Sequence, residues 1–356
     1  RKTKDPDLRY IMSAANDVAK HIRPGCLVVL ESTTYPGTTE EIVGRALENR
    51  GFSIGEDVFV AFSPERVDPG NPVFHTKNTP KVIGGVTPAC GRMAAALYEC
   101  FVDEVVLVSS ARVAETVKLL ENTFRSVNIG LVNEMSMMCD RMGIDVWEVI
   151  AAASTKPFGF MPFYPGPGIG GHCIPLDPQY LSWKAKTFNF YNRFIELASD
   201  VNGNMPRYAV GRISEVLNTA GKALSRSKIL VLGAAYKRDI NDTRESPSIE
   251  IVNLLLQSGA FVDYNDPYVP KIETIDGMKA SVSVTPSSIS HYDCVIVGTD
   301  HSCYDMNMIC KNAQLVFDTR NSTKGCDGDH VVVLGSGWQP EFINARAEVA
   351  TTKPED

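Results

Sequence analysis

Residues 228–267, KILVLGAAYKRDINDTRESPSIEIVNLLLQSGAFVDYNDP, place a strand, a helix and a second strand in the order that builds a parallel sheet. KILVLG is a continuous apolar run stopped by Gly233, the pattern of a strand buried on both faces. Ser246 and Pro247 open a helix over SPSIEIVNLLLQSG, because proline suits a first helical turn that has no use for its missing N–H, and Gly259 closes it. AFVDYNDP is the next strand, and DCVIVGTD, LVFDTRN and HVVVLGSG continue the series. The last third of the chain is therefore expected to form a nucleotide-binding α/β fold. Its first turn, GAAYKRDINDTRES, lacks the dinucleotide glycine pattern and carries Lys237, Arg238 and Arg244, cations suited to a phosphate.

The same alternation runs through the first third. Leu8–Ile22 reads as a helix, Cys26–Glu31 as a buried strand, Thr38–Arg50 as a helix, Val58–Phe62 as a strand, Thr87–Phe101 as a helix and Glu104–Val108 as a strand, which implies a parallel, doubly wound sheet. No GxGxxG follows a strand here, and the chain opens on RKTKDPDLRYI already in a helical pattern, so this Rossmann domain is expected to be truncated at its amino terminus. Between these parts the pattern is mostly helical. Val117, Leu120, Phe124, Val127 and Leu131 share one helical face and are expected to pack against neighbouring helices. Lys118, Asn122 and Arg125 line another face, which suits a solvated surface as well as three donors to one ligand. The expected fold class is α/β: two Rossmann-like doubly wound domains joined by a central helical domain with a long connecting helix near Arg193–Leu217. The expected boundaries are 1–109, 110–222 and 223–346, with a polar tail at 347–356.

Composition bounds the function. With 356 residues and 44% hydrophobic content the chain can fill several packed domains, and a formal charge of -7 argues against general nucleic-acid binding. No apolar run approaches bilayer length and no basic-then-apolar leader is present, so a cytoplasmic location is expected. The nine cysteines show neither CxxC nor regular spacing, which speaks for a reducing compartment and against a disulfide framework or a metal site. Cys173 differs from the others in its setting. It lies in GIGGHCIPLD, after closely spaced glycines and four residues before Asp177, where a backbone can approach a ligand and a thiol can act as nucleophile.

Read together, ESTTYPGTTEE, FSPERVDPGN, KLLENTFRSVNIGLVNE, TKPFGFMPFYPGPGIGGHCIPLDP, YKRDINDTRESPS and VFDTRN resemble the UDP-sugar 6-dehydrogenases of the UDP-glucose/GDP-mannose dehydrogenase superfamily. The branch resembled most acts on UDP-N-acetyl-D-glucosamine or UDP-N-acetyl-D-mannosamine. Pro69, where UDP-glucose and GDP-mannose enzymes usually carry a second glutamate, supports that branch. The resemblance implies NAD as cofactor, a UDP-N-acetylhexosamine as substrate, a homodimer or larger homo-oligomer, no nucleic acid or membrane partner, and a product used in surface polysaccharide synthesis. It further implies Cys173 as nucleophile, Asp177 as the carboxylate orienting thiol and water, Lys118 and Asn122 as oxyanion donors, and Glu65 as base for thioester hydrolysis. Ser32, Thr33 and Arg244 match cofactor contacts, with Thr33 also near the catalytic water. Arg66, Val67, Lys118, Asn122, Arg125, Gly168, Tyr236 and Lys237 match substrate contacts, and Arg320 is compatible with either ligand. A UDP-sugar-binding module without activity, and a UDP-glucose or GDP-mannose enzyme, are the alternatives.

Overall fold

The computed structural model describes residues 6–67, 71–326 and 328–339; Pro69 and the tail at 347–356 fall outside them. The fold is α/β, with Rossmann-like sheets and a helical middle. Two compact units are drawn from it, one from Arg1–Arg125 with Leu176–Ile195, the other from Ser126–Pro175 with Glu196–Asp356.

The first unit contains α1 (Arg9–His21), β1 (Leu27–Leu30), a π-wound segment Thr39–Gly44 running into α2 (Arg45–Glu48), β2 (Phe59–Phe62), β3 (Lys81–Gly85), α3 (Pro88–Tyr98) and β4 (Val105–Val108). Its sheet has the order β1-β2-β3-β4. The pairs β1–β2 and β3–β4 are parallel, but β2 and β3 run antiparallel, which corrects the expectation of a wholly parallel sheet here. The reason lies in residues 63–80, which contain no helix among those described; without a crossover helix the chain returns antiparallel. β3 itself escapes the apolar pattern because KVIGG ends in two glycines, which favour strands poorly. Those glycines serve close packing: a Cβ on Gly84 would lie 2.1 Å from Ser110 O, and one on Gly85 would lie 2.1 Å from Gly91 N. Thr87 caps the helix that follows, its side chain accepting from Cys90 N.

Helix α4 (Ala111–Met142) begins in the first unit and continues into the second. The expected apolar face is only partly inside: Val117, which packs on Phe62 and Ala114, and Val127 are half-buried, and Leu119 is fully buried. Leu120, Phe124 and Leu131 are 62%, 46% and 55% exposed, whereas Glu115, Asn122, Ser126, Asn133, Ser136 and Asp140 are buried. These polar positions recur at helical spacing and form one inward stripe. The polar stripe is tolerated because Glu115, Asn122, Asn133 and Asp140 find hydrogen-bond partners in loops and on neighbouring helices, which apolar neighbours could not supply. Three more helices follow, α5 (Val146–Ala153), α6 (Asp177–Lys186) and the long α7 (Arg193–Thr219). Among the described residues, no helix is long and apolar enough to cross a membrane.

In the second unit, β5 (Lys228–Leu232), α8 (Pro247–Gln257), β6 (Phe261–Asn265), the hairpin β7 (Lys271–Thr274) and β8 (Gly277–Ala280), α9 (Pro286–Ile289), β9 (Cys294–Val297), α10 (Met306–Asn312), β10 (Val316–Asp318) and β11 (Val331–Val333) follow in order. Five strands make a parallel sheet in the order β11-β10-β9-β5-β6. Alternate residues face opposite layers: Ile229, Val231 and Ile296 meet Ile251 and Leu255 of α8, while Leu230, Leu232 and Val295 meet Ile289 and Ile309. Each such buried side chain stabilises the sheet by about 1.5–3 kcal/mol. The chain reverses its direction of winding between β5 and β9, which marks the carboxyl edge beside them as a ligand-binding place.

Because Gly85 touches backbone and not a movable side chain, Gly85→Ala is expected to destabilise the first unit by about 3 kcal/mol. Urea denaturation would measure this, and a loss under about 0.5 kcal/mol would contradict the close packing of β3 on α3.

Candidate active site

In the first unit the site is built at the carboxyl ends of β1 and β2. Antiparallel β3 brings its first residue, Lys81, to that same edge. Lys81 Nζ donates to Glu31 Oε1 at 2.8 Å, and Tyr98 OH donates to the same oxygen at 2.8 Å. Burial opposes ionisation of Glu31, but these two bonds prevail and hold its carboxyl below the ordinary value. Beyond Glu31 come Ser32, exposed, and Thr33, half-buried. Neither hydroxyl engages another protein group among the described residues, so both remain available to a ligand; a hydroxyl donor set at a strand's carboxyl end suits the ribose and amide groups of a nicotinamide dinucleotide.

After β2, Glu65 is exposed and its Oε1 accepts from Val67 N at 2.7 Å, which folds the carboxylate back onto its own loop. Lys118 Nζ, from α4, donates to the carbonyl of Glu65. Arg66 is held by Pro80 O at 2.7 Å and by Glu121 Oε1 at 2.7 Å, while Val67 and Arg125 are exposed. One turn beyond Lys118, Asn122 Nδ2 donates to Asp177 Oδ2 at 2.6 Å. Asp177 opens α6 and is only 3% exposed. Burial pushes its carboxyl up to about 6, against the Asn122 bond and the Lys118 charge, which favour ionisation. An ammonium, an amide and a near-neutral carboxyl are thereby gathered in one unit, as charge stabilisation and proton exchange both need.

The second unit carries the thiol. Cys173 is exposed, and none of the nine cysteines forms a disulfide. The coil before it owes its course to glycine. A Cβ on Gly170 would come 2.5 Å from Tyr236 Cβ, and one on Gly171, at φ +88°, would meet the Tyr236 ring at 2.9 Å. Gly168 packs against Asn202 O, a carbonyl that Pro206 four residues on leaves without its helical donor. Asn133 Oδ1 accepts from Gly166 N at 2.9 Å, and Arg244 O accepts from Gly171 N at 2.9 Å. Gly166, Gly168 and Gly171 reproduce the GxGxxG spacing, yet they lie in coil with no strand before them, and serve packing and not a pyrophosphate turn.

Tyr236 N donates to Asp242 O at 3.0 Å, and Lys237 is exposed beside it. Arg244 pairs with Asp242 through Nη2 at 2.6 Å. The hydrogen bonds and charge of Asp242 raise the Arg244 guanidinium above its ordinary value. Arg320 Nε donates to Gly298 O at 2.9 Å at the carboxyl end of β9. His172 is exposed, next to Cys173 in the chain. The residues that sequence reasoning did not single out are Glu31, Lys81 and Glu115. Of these, Glu115 carried a signal: it precedes Lys118 by three residues and Asn122 by seven, on the same helical face.

Comparison with known proteins gives the same picture. Family descriptions match in three consecutive blocks: "UDP-glucose/GDP-mannose dehydrogenase family, NAD binding domain" over residues 1–102, the central domain over 112–204 and the UDP binding domain over 230–325. The chain is 36% identical over 327 residues to a UDP-N-acetyl-D-mannosamine dehydrogenase of Methanococcus maripaludis, covering 90% of this chain and 72% of that protein. It is 35% identical over 301 residues to a UDP-N-acetyl-D-glucosamine 6-dehydrogenase of Pseudomonas aeruginosa, covering 84% and 71%. Among solved structures, the UDP-D-ManNAc dehydrogenase from Pyrococcus horikoshii matches with a TM-score of 0.84 at 36% identity, covering 94% of this chain and 78% of that one.

The raised carboxyl of Asp177 has a thermodynamic sign. Its folded value, about 6, lies above the ordinary 3.8, so its contribution to stability is complete below about pH 4 and is lost as pH rises through 6. Asp177→Asn should remove that slope. Denaturation from about pH 4 to pH 7 is expected to shift the stability difference by about 2 kcal/mol in favour of the variant, and parallel curves for the two proteins would contradict a buried, proton-binding Asp177.

Proposed function

The chain belongs to the UDP-glucose/GDP-mannose dehydrogenase family, and we propose that it oxidises the C6 hydroxymethyl of a UDP-N-acetylhexosamine, gluco or manno, to the uronate. The observation that carries this reading is the Lys118, Asn122 and Asp177 group, with the exposed thiol of Cys173 four residues before Asp177 in the chain. The substrate branch rests on relatives named for N-acetylmannosamine and N-acetylglucosamine, and on SPERVDPGN, where Pro69 replaces a second glutamate.

NAD would supply the hydride acceptor, one molecule for each of the two oxidations, and Ser32, Thr33 and Arg244 would hold it. Loss of a hydride to that acceptor and of the hydroxyl proton to water gives an aldehyde. The Cys173 thiolate then adds to C6, a C–S bond forms, and the new oxyanion takes hydrogen bonds from Lys118 Nζ and the Asn122 amide. Loss of a second hydride leaves a thioester. Water, deprotonated by Glu65 and oriented by Asp177 and Thr33, adds to the thioester; the C–S bond breaks, and the thiol and the carboxylate are released. Arg66, Val67, Arg125, Gly168, Tyr236 and Lys237 bind the nucleotide sugar, and Arg320 meets one of the two ligands. The uronate product serves surface polysaccharide assembly.

The protein works as a homodimer joined through its central helices. Support comes from the exposed Leu120, Phe124 and Leu131 on α4 together with Phe194 and Leu197 on α7, apolar groups of a kind that an interface core covers.

Cys173→Ser is expected to abolish uronate formation while UDP-sugar binding persists, and Asn122→Ala to lower kcat by about a hundredfold. Full NADH production by the serine variant would sink the covalent route. Phe124→Glu should convert the dimer to a monomer in light scattering, and an unchanged mass would place the interface elsewhere.

A further inference from the structure

Glu115 is a buried carboxylate, 1% exposed, that the reaction does not use. Gly37 N donates to its Oε2 at 2.5 Å, and Thr39 donates to its Oε1 through N at 2.8 Å and through Oγ1 at 2.7 Å. All three donors belong to the turn that follows Ser32 and Thr33. Gly37 has φ +104°, a conformation that glycine adopts without strain. The same turn is gripped elsewhere: the Tyr35 ring lies 5.2 Å from that of Trp183, Lys184 Nζ stands 4.4 Å over it, and Lys184 pairs with Glu41 at 2.8 Å. At its other end Glu31 is held by Lys81 and Tyr98.

A carboxyl in such a place is costly, because burial opposes its charge and holds it above the ordinary value; the three hydrogen bonds from Gly37 and Thr39 offset part of that penalty. Packing alone would be met by an apolar side chain. What only a carboxylate provides is two acceptor oxygens for donors arriving from one turn. Glu115 also precedes Lys118 and Asn122 on the same face of α4, so one rigid helix holds both the turn and the two donors.

We infer that Glu115 is a positioning residue that locks the Ser32–Thr33 turn to the helix bearing Lys118 and Asn122 and so sets the affinity for the nicotinamide cofactor. This rests on the dehydrogenase reading above. Glutamine at 115 keeps size and burial but turns an NH2 group toward the N–H of Gly37, which loosens the turn at one end.

The test compares wild type, Glu115→Gln and Thr39→Val by amide hydrogen exchange over residues 34–39, by NAD titration and by steady-state kinetics. Glu115→Gln is expected to speed exchange of the Gly37 and Thr39 amides and to raise both Kd and KM for NAD about tenfold, leaving KM for the UDP-sugar within about twofold. Thr39→Val, which loses one donor and keeps the carboxylate, should show a smaller shift of the same kind. Exchange as in wild type, or a loosened turn with unchanged NAD affinity, would overturn the inference. If no protein oxidises any UDP-sugar, the dehydrogenase reading falls by itself and the NAD titration still decides: about tenfold weaker binding by Glu115→Gln supports positioning, whereas equal binding, or none by wild type, overturns it.

Discussion

The structure depends on a buried polar stripe along α4. Glu115 accepts hydrogen bonds from the N–H groups of the Gly37–Thr39 turn, and the Asn122 amide donates one to Asp177. Farther along the helix, Asn133 accepts from Gly166 N and donates to Asn202 Oδ1, while Asp140 accepts from Tyr208 OH and from the N–H groups of Gly335 and Gly337. These side chains reach loop backbone at Gly37, Gly166, Gly335 and Gly337, and side chains of other helices at Asp177, Asn202 and Tyr208. A buried polar group left unpaired costs about 1–3 kcal/mol, so each loop is drawn to the one geometry that pairs its partner. The helix thus orders loops that have too little apolar surface to order themselves.

This arrangement accounts for the open apolar face. With these polar residues inside, Leu120, Phe124 and Leu131 come to the outside, while Leu119 stays buried. Ordinary amphipathic logic would invert the helix if only one chain had to be satisfied. The inward face is satisfied because its side chains find polar partners in loops and on neighbouring helices.

How far the sequence could be read follows from these particulars. The β5–α8–β6 unit was legible because each element is marked locally, by an apolar run, by Ser246 and Pro247, and by Gly259. β3 was not legible, since Gly84 and Gly85 are there for close backbone packing, which periodicity does not encode. Periodicity found the two faces of α4 but assigned the apolar one to the interior, because spacing says which residues share a face and not what covers it. Cys173 could be singled out from its glycines and its distance to Asp177. The Asn122–Asp177 bond joins residues 55 apart and has no local mark, so only family resemblance put both in one site. Glu115 stood at the right helical spacing, but a charged residue inside a helix is usually solvated, and that prior hid it.

The second sheet shows the same principle from the opposite direction. After β5, where a dinucleotide fold offers free N–H groups to a pyrophosphate, Ala234 N and Ala235 N donate instead to Asp266 Oδ2 at 2.7 and 2.9 Å. The other oxygen, Oδ1, accepts from Tyr268 N and Val269 N, and His301 Nε2 donates to Oδ2 while His301 Nδ1 accepts from Asp239 N. Burial opposes the charge on Asp266, yet these donors hold its carboxyl below the ordinary value, so the turn already contains its anion. A phosphate approaching that turn would meet a carboxylate in place of open donors. The turn therefore has no need of a glycine fingerprint, and the cations that follow it, Lys237 and Arg244, stand exposed.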